Sequence, residues 1–391
     1  MTPMEAAEVV AKLIDLPGGQ ALLDAASGDE SVWLVGGAVR DLMLGRTPEE
    51  LDVVIDGPLD RVLARLGGEA ERHDRFGTAT VRLADGRIDL ASARSEQYAL
   101  PGALPDVSPA SIDDDLQRRD FTINAIAIRL VDAELKAHDD ALADLAAGRI
   151  RVLHSGSFVN DPTRLWRAAR YSTRLGFELD EESAALAALA SPGAVSGERL
   201  GHELRLSLRE DSPTAVLSAV EALNPGALIE GFDPNPARLA EASALLGSAG
   251  RQDLLTLAAC CQGVELQLLT RWLDHLQFTA SERDLVTASS RWVTASPLRS
   301  AQSASQIAEA AAGAPLEAVA LCGGENARQW LTELRHVTLE IDGDDLIAAG
   351  VPPGPAIGIG LKRALARTLD RDISGRDEQL QAALEGAEGP S

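Results

Sequence analysis

At 391 residues and 45% hydrophobic content, the chain has room for two or more domains with real cores. A formal net charge of −24 argues against indiscriminate coating of nucleic acid, because neutralised phosphates supply most non-specific affinity. No stretch reads as a membrane span, the first 19 residues form an amphipathic helical pattern rather than a signal peptide, and three cysteines without a C-x-x-C spacing point to a reducing cytoplasm without a metal knuckle.

In chain order, the first organised stretch is 32–56. Residues 32–35 are apolar and β-prone, Gly36-Gly37 stops the strand, and 38–44 run at helical spacing to Gly45 with Pro48 beyond. Glycines there allow close backbone approach, and amides at a helix start favour anionic oxygens. Arg40, one turn in, is placed to grip a phosphate with its two-pronged head. In the next strand Glu50 and Asp52 are two apart and share a face, while Leu51 and Val53 point to the core. A strand edge with two acids is ordinarily a solvated face. Neighbouring carboxylates repel unless a cation lies between them, and Mg²⁺ prefers one or two carboxylates plus substrate phosphates.

Residues 77–83 and 87–93 alternate like paired strands around Asp85-Gly86, so Asp89 faces away from Ile88 and Leu90 and toward Glu50 and Asp52. The Pro- and Gly-rich stretch 98–109 reads as a loop. A helix starting at 111–116 leads into Arg118-Arg119-Asp120-Phe121-Thr122-Ile123-Asn124-Ala125. There Arg119 can hold a triphosphate, and Asp120 and Asn124, four apart on one helical face, can reach sugar hydroxyls or base edges. Further on, Asp161 reads as the cap of a helix begun by Pro162, with Arg164 and Arg167 following along one side. An accepting Asp beside a donating Arg imitates a Watson–Crick edge. Between 149 and 209 nine arginines face seven acids, a local +2 in an acidic protein. From 211 onward the pattern is helical, with a Gly/Pro turn at 350–355 entering a helix that carries Lys362 and Arg363; the acidic end, 375–391, is expected to fray.

Several of these stretches, in this order, resemble the signature of the tRNA nucleotidyltransferase and bacterial poly(A) polymerase family, the class II branch of the polymerase-β-like nucleotidyltransferases. They are Gly36-Gly37-Ala38-Val39-Arg40-Asp41 with Glu50-Leu51-Asp52, Asp89 with its flanks Phe76-Gly77-Thr78 and Ser92-Ala93-Arg94, the octet 118–125, the element 161–167, and Val195-Ser196-Gly197-Glu198-Arg199. The likeness covers residues 31–210 and, more weakly, 339–365. Three positions depart from the family: Glu50 stands for its usual Asp, Asp140 is followed by Ala141 instead of Pro, and Asn160 replaces an acid.

The resemblance implies an α+β fold with four parts. These are a polymerase-β-like head with a small mixed sheet (1–150), a helical neck that selects the base (151–210), a helical body (211–296) and a helical tail that binds tRNA (297–391). It implies tRNA, CTP and ATP as partners, and a two-metal Mg²⁺ site held by Glu50 and Asp52, with Asp89 as the third catalytic acid. Nucleotide contacts would come from Gly36, Gly37, Arg40, Arg119, Asp120, Asn124, Asp161, Arg164 and Arg167. The implied reaction is attack of an RNA 3′-hydroxyl on the α-phosphate of CTP or ATP, adding all or part of a terminal CCA without a nucleic-acid template. CC-only addition, A-only addition and poly(A) synthesis share the same motifs. A non-catalytic tRNA-binding protein has no need of Arg40, Asp52, Asp89, Asp161 and Arg164 together, and a doubly wound dinucleotide fold would need G-x-G-x-x-G.

Overall fold

The computed structural model describes residues 4–73 and 77–388, which divide into two compact units after Leu228. Phe76, one of the residues flanking the Asp89 strand, lies outside the described residues, as do residues 1–3 and 389–391 at the two ends.

The first unit is built on a mixed sheet. Its strands are β1 (Val32–Val35), β2 (Leu51–Ile55), β3 (Glu69–His73), β4 (Thr78–Arg82) and β5 (Arg87–Ser92). After a separate ribbon of β6 (Arg94–Gln97) and β7 (Asp106–Pro109), β8 (Ile126–Arg129) and β9 (Leu135–Ala137) complete the sheet in the order β3-β4-β5-β2-β1-β8-β9. All neighbours are antiparallel except β2 and β5. That parallel pair sets the register Asp52↔Asp89, so two acids far apart in sequence stand side by side. Val-Trp-Leu-Val of β1 is buried at every position, as expected of a central strand covered on both faces.

The helices of this unit are α1 (Ala6–Lys12), α2 (Gly19–Ala26), α3 (Gly36–Met43), α4 (Asp60–Leu66), α5 (Ile112–Gln117) and α6 (Ala141–Ala147), then α7 (Ser157–Asn160), α8 (Arg164–Leu175), α9 (Glu181–Ala188), α10 (Gly197–Leu208) and α11 (Pro213–Leu223). Helix α5 enters through a capping box at Ser111 and lays Ile112 and Leu116 on Trp33, Val35 and Val54. Val54 shares its strand face with Asp52, so the core under α5 continues into the carboxylate end of β2. Gly36 makes the sharp passage from β1 into α3 at φ +63°, a backbone setting that favours glycine.

Four sequence expectations change in detail. The N-terminal amphipathic stretch is two helices, interrupted by a 3₁₀ turn at Leu13–Asp15. Part of the expected loop 98–109 is the second strand of the β6–β7 ribbon. The octet 118–125 is not one helix: α5 stops at Gln117 because the backbone turns to pair across to the following segment, Phe121 bridging Val152 and the Thr122 amide donating to Arg151 O. Asp120 and Asn124 therefore meet through a turn and a 3₁₀ element, Thr122–Asn124, and not along a helical face. Finally, α8 begins at Arg164, since the short α7 ends on Asp161 with extended backbone. Asp161 and Pro162 form the turn between them.

The second unit, 229–388, contains helices and no strand among its described residues. The acidic element at 342–345 is a helix cap: Asp342 accepts from the amides of Asp344 and Asp345. Beyond the Gly/Pro turn, Pro355–Leu369 packs with Arg376–Ala387 around Leu346, Ala364 and Ala383, so the stretch expected to fray is helical through Ala387, held by that apolar contact. No described helix is long and apolar enough to cross a membrane. Cys260, Cys261 and Cys322 are free and buried.

Candidate active site

Carboxylates of Glu50, Asp52 and Asp89 offer oxygens that all lie within 4.8 Å of one another. Glu50 stands just before β2, half exposed, and reaches in from the rim; Asp52 and Asp89 are held by the β2–β5 register. Thr80, opposite Asp89 on β4, donates its hydroxyl to Asp89 Oδ1 at 2.6 Å and fixes that carboxylate. Burial, joined by the negative charges of Asp89 and Glu50 and opposed by the Arg119 charge, raises the Asp52 carboxyl to about 6. The close approach of the three carboxylates leaves a mutual repulsion. Arg87, two residues before Asp89 on the same strand face, relieves it: its guanidinium lies 3.1 Å from Glu50 Oε1 and 2.7 Å from Asp89 Oδ2.

Beside the carboxylates lies a cradle of arginines. Gly36 backs directly onto Arg119, where an added Cβ would come 2.3 Å from Nη1, whereas one at Gly37 would make only ordinary contacts. Arg119 donates to Asp115 at 3.0 Å, yet its Nε is buried with no hydrogen-bond partner. A buried guanidinium N–H without an acceptor is a place for an anionic oxygen.

The other motif residues turn toward each other. Arg40 is only 2% exposed. It pairs with Asp41 at 2.8 Å, donates to Asn124 Oδ1 at 2.7 Å and stacks on the Tyr171 ring. Asn124 in turn donates to Asp120, whose other oxygen takes Arg167 Nε at 2.7 Å. Burial alone would raise the Asp120 carboxyl, but the Arg167 charge and the Asn124 amide hold it down to about 2. Arg40, Asp120 and Asn124 thus brace one another, with N–H groups of Arg40 engaged by Asp41 and Asn124. Arg167 and Asp120 both border the cavity described next, and Arg40 borders the hollow adjoining it.

A cavity of about 500 Å³ runs from Asp52 and Asp89 past Arg119 to Asp161 and Arg164, a volume suited to a small ligand. Asp52 and Arg167 also border an adjoining hollow of about 230 Å³ that includes Glu50 and Gly37. At the far end, Arg164 donates to Ser157 Oγ at 2.6 Å and to Arg118 O at 2.9 Å, which leaves its remaining N–H groups for a ligand. Tyr98, raised to about 12 chiefly by burial and then by the neighbouring Glu96 charge, completes the wall as a neutral phenol.

Sequence reading missed Arg87, Asp115 and Tyr171, and saw Arg199 only as part of a helix-entry motif. Asp115 lies three and four residues before Arg118 and Arg119 and pairs with both, a helical spacing visible in the chain. Tyr171 follows Arg167 by four and takes a hydrogen bond from it.

Comparison with known proteins agrees with this geometry. Residues 32–151, which include every strand of the large sheet, match the family described as the poly(A) polymerase head domain. The chain is 41% identical over 208 residues to an A-adding tRNA nucleotidyltransferase of Halalkalibacterium halodurans, covering 50% of this chain and 49% of that protein. It is 31% identical over 404 residues to one of Geobacter sulfurreducens, covering 91% and 46%. Residues 32–151 belong to the poly(A) polymerase head-domain family. A CC-adding tRNA nucleotidyltransferase of Deinococcus radiodurans is 40% identical over 217 residues, covering 53% of this chain and 58% of that protein. Among solved structures, a CCA-adding enzyme in an apo form superposes with TM-score 0.81 at 26% identity over 98% of this chain and 99% of that one. The Thermotoga maritima CCA-adding enzyme complexed with tRNA(CCA) does so with TM-score 0.76 at 25% identity over the same shares. The chain spans about half the length of the first curated relatives it matches.

Proposed function

We propose that this chain is a tRNA nucleotidyltransferase that extends the tRNA 3′ end with all or part of CCA, from CTP and ATP and without a nucleic-acid template. The observation that carries the reading is the cavity, with Asp52 and Asp89 at one end, Glu50 converging on them from the adjoining hollow, and a carboxylate–guanidinium pair, Asp161 and Arg164, at the other. Cytosine and adenine both present an amino donor beside a ring-nitrogen acceptor, whereas uracil and guanine present a carbonyl beside an N–H. Asp161 accepting and Arg164 donating match the first pattern and oppose the second.

The oxygen-only donor set of Glu50, Asp52 and Asp89 suits Mg²⁺, which these three residues would hold. When bound, the metal supplies charge neutralisation at the triphosphate and a lower pKa for the attacking 3′-hydroxyl. Within the chain, Arg119 offers its unpartnered Nε to a phosphate oxygen, and Gly36 leaves room for it to do so. Thr80 keeps Asp89 aimed at its neighbours, and the Arg40–Asn124–Asp120–Arg167 brace fixes the floor on which the nucleotide rests. The RNA 3′-oxygen then bonds to the α-phosphorus as its own proton passes to solvent and the bond to pyrophosphate breaks.

In this reading residues 1–150 act as catalytic head, 151–210 as base-selecting neck, 211–296 as body and 297–391 as RNA-binding tail, in the cytoplasm where thiols stay reduced. Addition of the terminal A alone is a narrower version, favoured by the names of the H. halodurans and G. sulfurreducens relatives. The test is purified protein with Mg²⁺ and tRNAs ending before the first C, the second C or the terminal A, each offered CTP or ATP separately. CTP on the two shorter acceptors and ATP on the CC-ended one mark full CCA addition, CTP alone marks a CC-adder, and ATP only on the CC end marks an A-adder. Repeated ATP addition to any RNA marks a poly(A) polymerase, and tRNA binding without extension refutes the enzymatic reading.

A further inference from the structure

Asp161 makes an unusual set of contacts. Its Oδ1 accepts the Thr163 amide at 3.1 Å, the Thr163 hydroxyl at 2.6 Å and Arg199 Nη2 at 2.8 Å. Three donors on one carboxylate oxygen saturate it. Among the described residues no hydrogen bond reaches Oδ2, so the group is held by one hand and offers the other. Thr163 is a local partner two residues away. Arg199 comes from α10, thirty-eight positions along the chain.

Arg199 is itself anchored. Its Nη1 donates to Gly102 O at 3.2 Å, in the connection between β6 and β7. That connection is tied down in turn, because the Gly102 amide donates to Asn160 O at 3.1 Å. Gly102 has φ +71°, and a Cβ there would lie 2.3 Å from Ala194 O, so the loop rests directly on the segment that leads into α10. The result is a closed circuit: Asn160, Gly102, Arg199 and Asp161. The two planar arms of one guanidinium set the distance between the loop and the carboxylate.

We propose that Arg199 is a specificity-determining positioning residue: by occupying Asp161 Oδ1 it fixes the carboxylate plane so that Oδ2 alone meets the incoming base. The inference rests on the reading of Asp161 and Arg164 as the base-selecting pair. A carboxylate free to rotate presents either oxygen at varied angles, and it also admits a water that can bridge to a carbonyl edge. Selection of an amino edge over a carbonyl edge then weakens, although phosphate binding at Arg119 and the carboxylates that carry out transfer are untouched.

The experiment measures kcat/KM for CTP, ATP, UTP and GTP on truncated tRNA acceptors with the wild-type protein, Arg199→Ala, Arg199→Lys and Asp161→Ala, alongside thermal melting of each. Loss of one hydrogen bond between charged groups corresponds to about a tenfold fall in the ratio of CTP or ATP to UTP or GTP. That fall is expected for Arg199→Ala, with a partial recovery in Arg199→Lys, whose ammonium reaches one partner but cannot span both. A merely structural role would lower all four nucleotides by one factor, together with the melting temperature. Uniform loss, or unchanged selectivity while Asp161→Ala loses it, overturns the role of Arg199 alone. Unchanged selectivity in Asp161→Ala would overturn the base-selecting reading and the role of Arg199 with it.

Discussion

Replacing Asp52 by Asn tests the electrostatics of the carboxylate cluster in the metal-free protein. The Asp52 carboxyl is raised from 3.8 to about 6, first by burial and then by the charges of Asp89 and Glu50 against the pull of Arg119. An acid with a raised folded-state pKa holds its proton more tightly folded than unfolded. Below pH 4 both states are protonated and nothing is lost; between about 4 and 6 the unfolded chain releases its proton first, so stability falls as pH rises; above 6 the loss is complete. A shift of about two units sets a ceiling of about 3 kcal/mol. Asp52 is half-buried, and water reaching it reduces the figure to about 1–2 kcal/mol. In EDTA, urea unfolding should find Asp52→Asn more stable than wild type by that amount at pH 8 and equal to it at pH 4. Millimolar Mg²⁺ at pH 8 should close the gap by stabilising only the wild type. A variant no more stable at pH 8, or one gaining as much at pH 4, would refute the reasoning.

Arg87→Ala removes a cation that bridges Glu50 and Asp89. Mn²⁺ titrations followed by electron paramagnetic resonance should show metal affinity rising about fivefold, the effect of one solvent-screened charge at contact range. Gly36→Ala must take φ +63° and displace Arg119, so a loss of about 1–3 kcal/mol in urea unfolding is expected, whereas Gly37→Ala should be nearly silent. Asp120→Asn removes the counter-charge of Arg167, whose side chain is about a third exposed, and should cost about 1–3 kcal/mol at pH 7. Because folding lowers the Asp120 carboxyl to about 2, that pair's contribution is present above pH 4 and disappears as pH falls toward 2, which acid unfolding of wild type against variant will reveal.

The sequence carried the carboxylate site in part, for a physical reason. Alternation turns Asp52 and Asp89 away from their apolar neighbours and the Asp85-Gly86 hairpin is visible in the chain, while the parallel register of β2 with β5, which seats Asp89 beside Asp52, and the reach of Glu50 from just before β2 are properties of the fold. The motif arginines were harder. A short-range reading sees Arg40 one turn into a helix and cannot see Asn124, 84 residues away, which takes its N–H. The octet 118–125 misled for a related reason: its spacing suits a helix, but Phe121 and Thr122 pair with a segment thirty residues on, and that tertiary pairing outweighs local propensity. Asp161 was legible as a functional residue but not as a turn, since only the neighbouring α7 shows that the backbone arrives there already extended. Arg199 sat within a motif that local rules explain as a helix entry; its target lies across the fold.

Single-turnover incorporation on tRNA ending before its CCA or within it, with labelled CTP and ATP and Mg²⁺, compares wild type with Asp52→Asn most directly. The account predicts extension by the wild type and a loss of about a thousandfold or more when one charged ligand of the carboxylate site becomes an amide. No extension by the wild type on any acceptor, or equal rates for the two proteins, would contradict it.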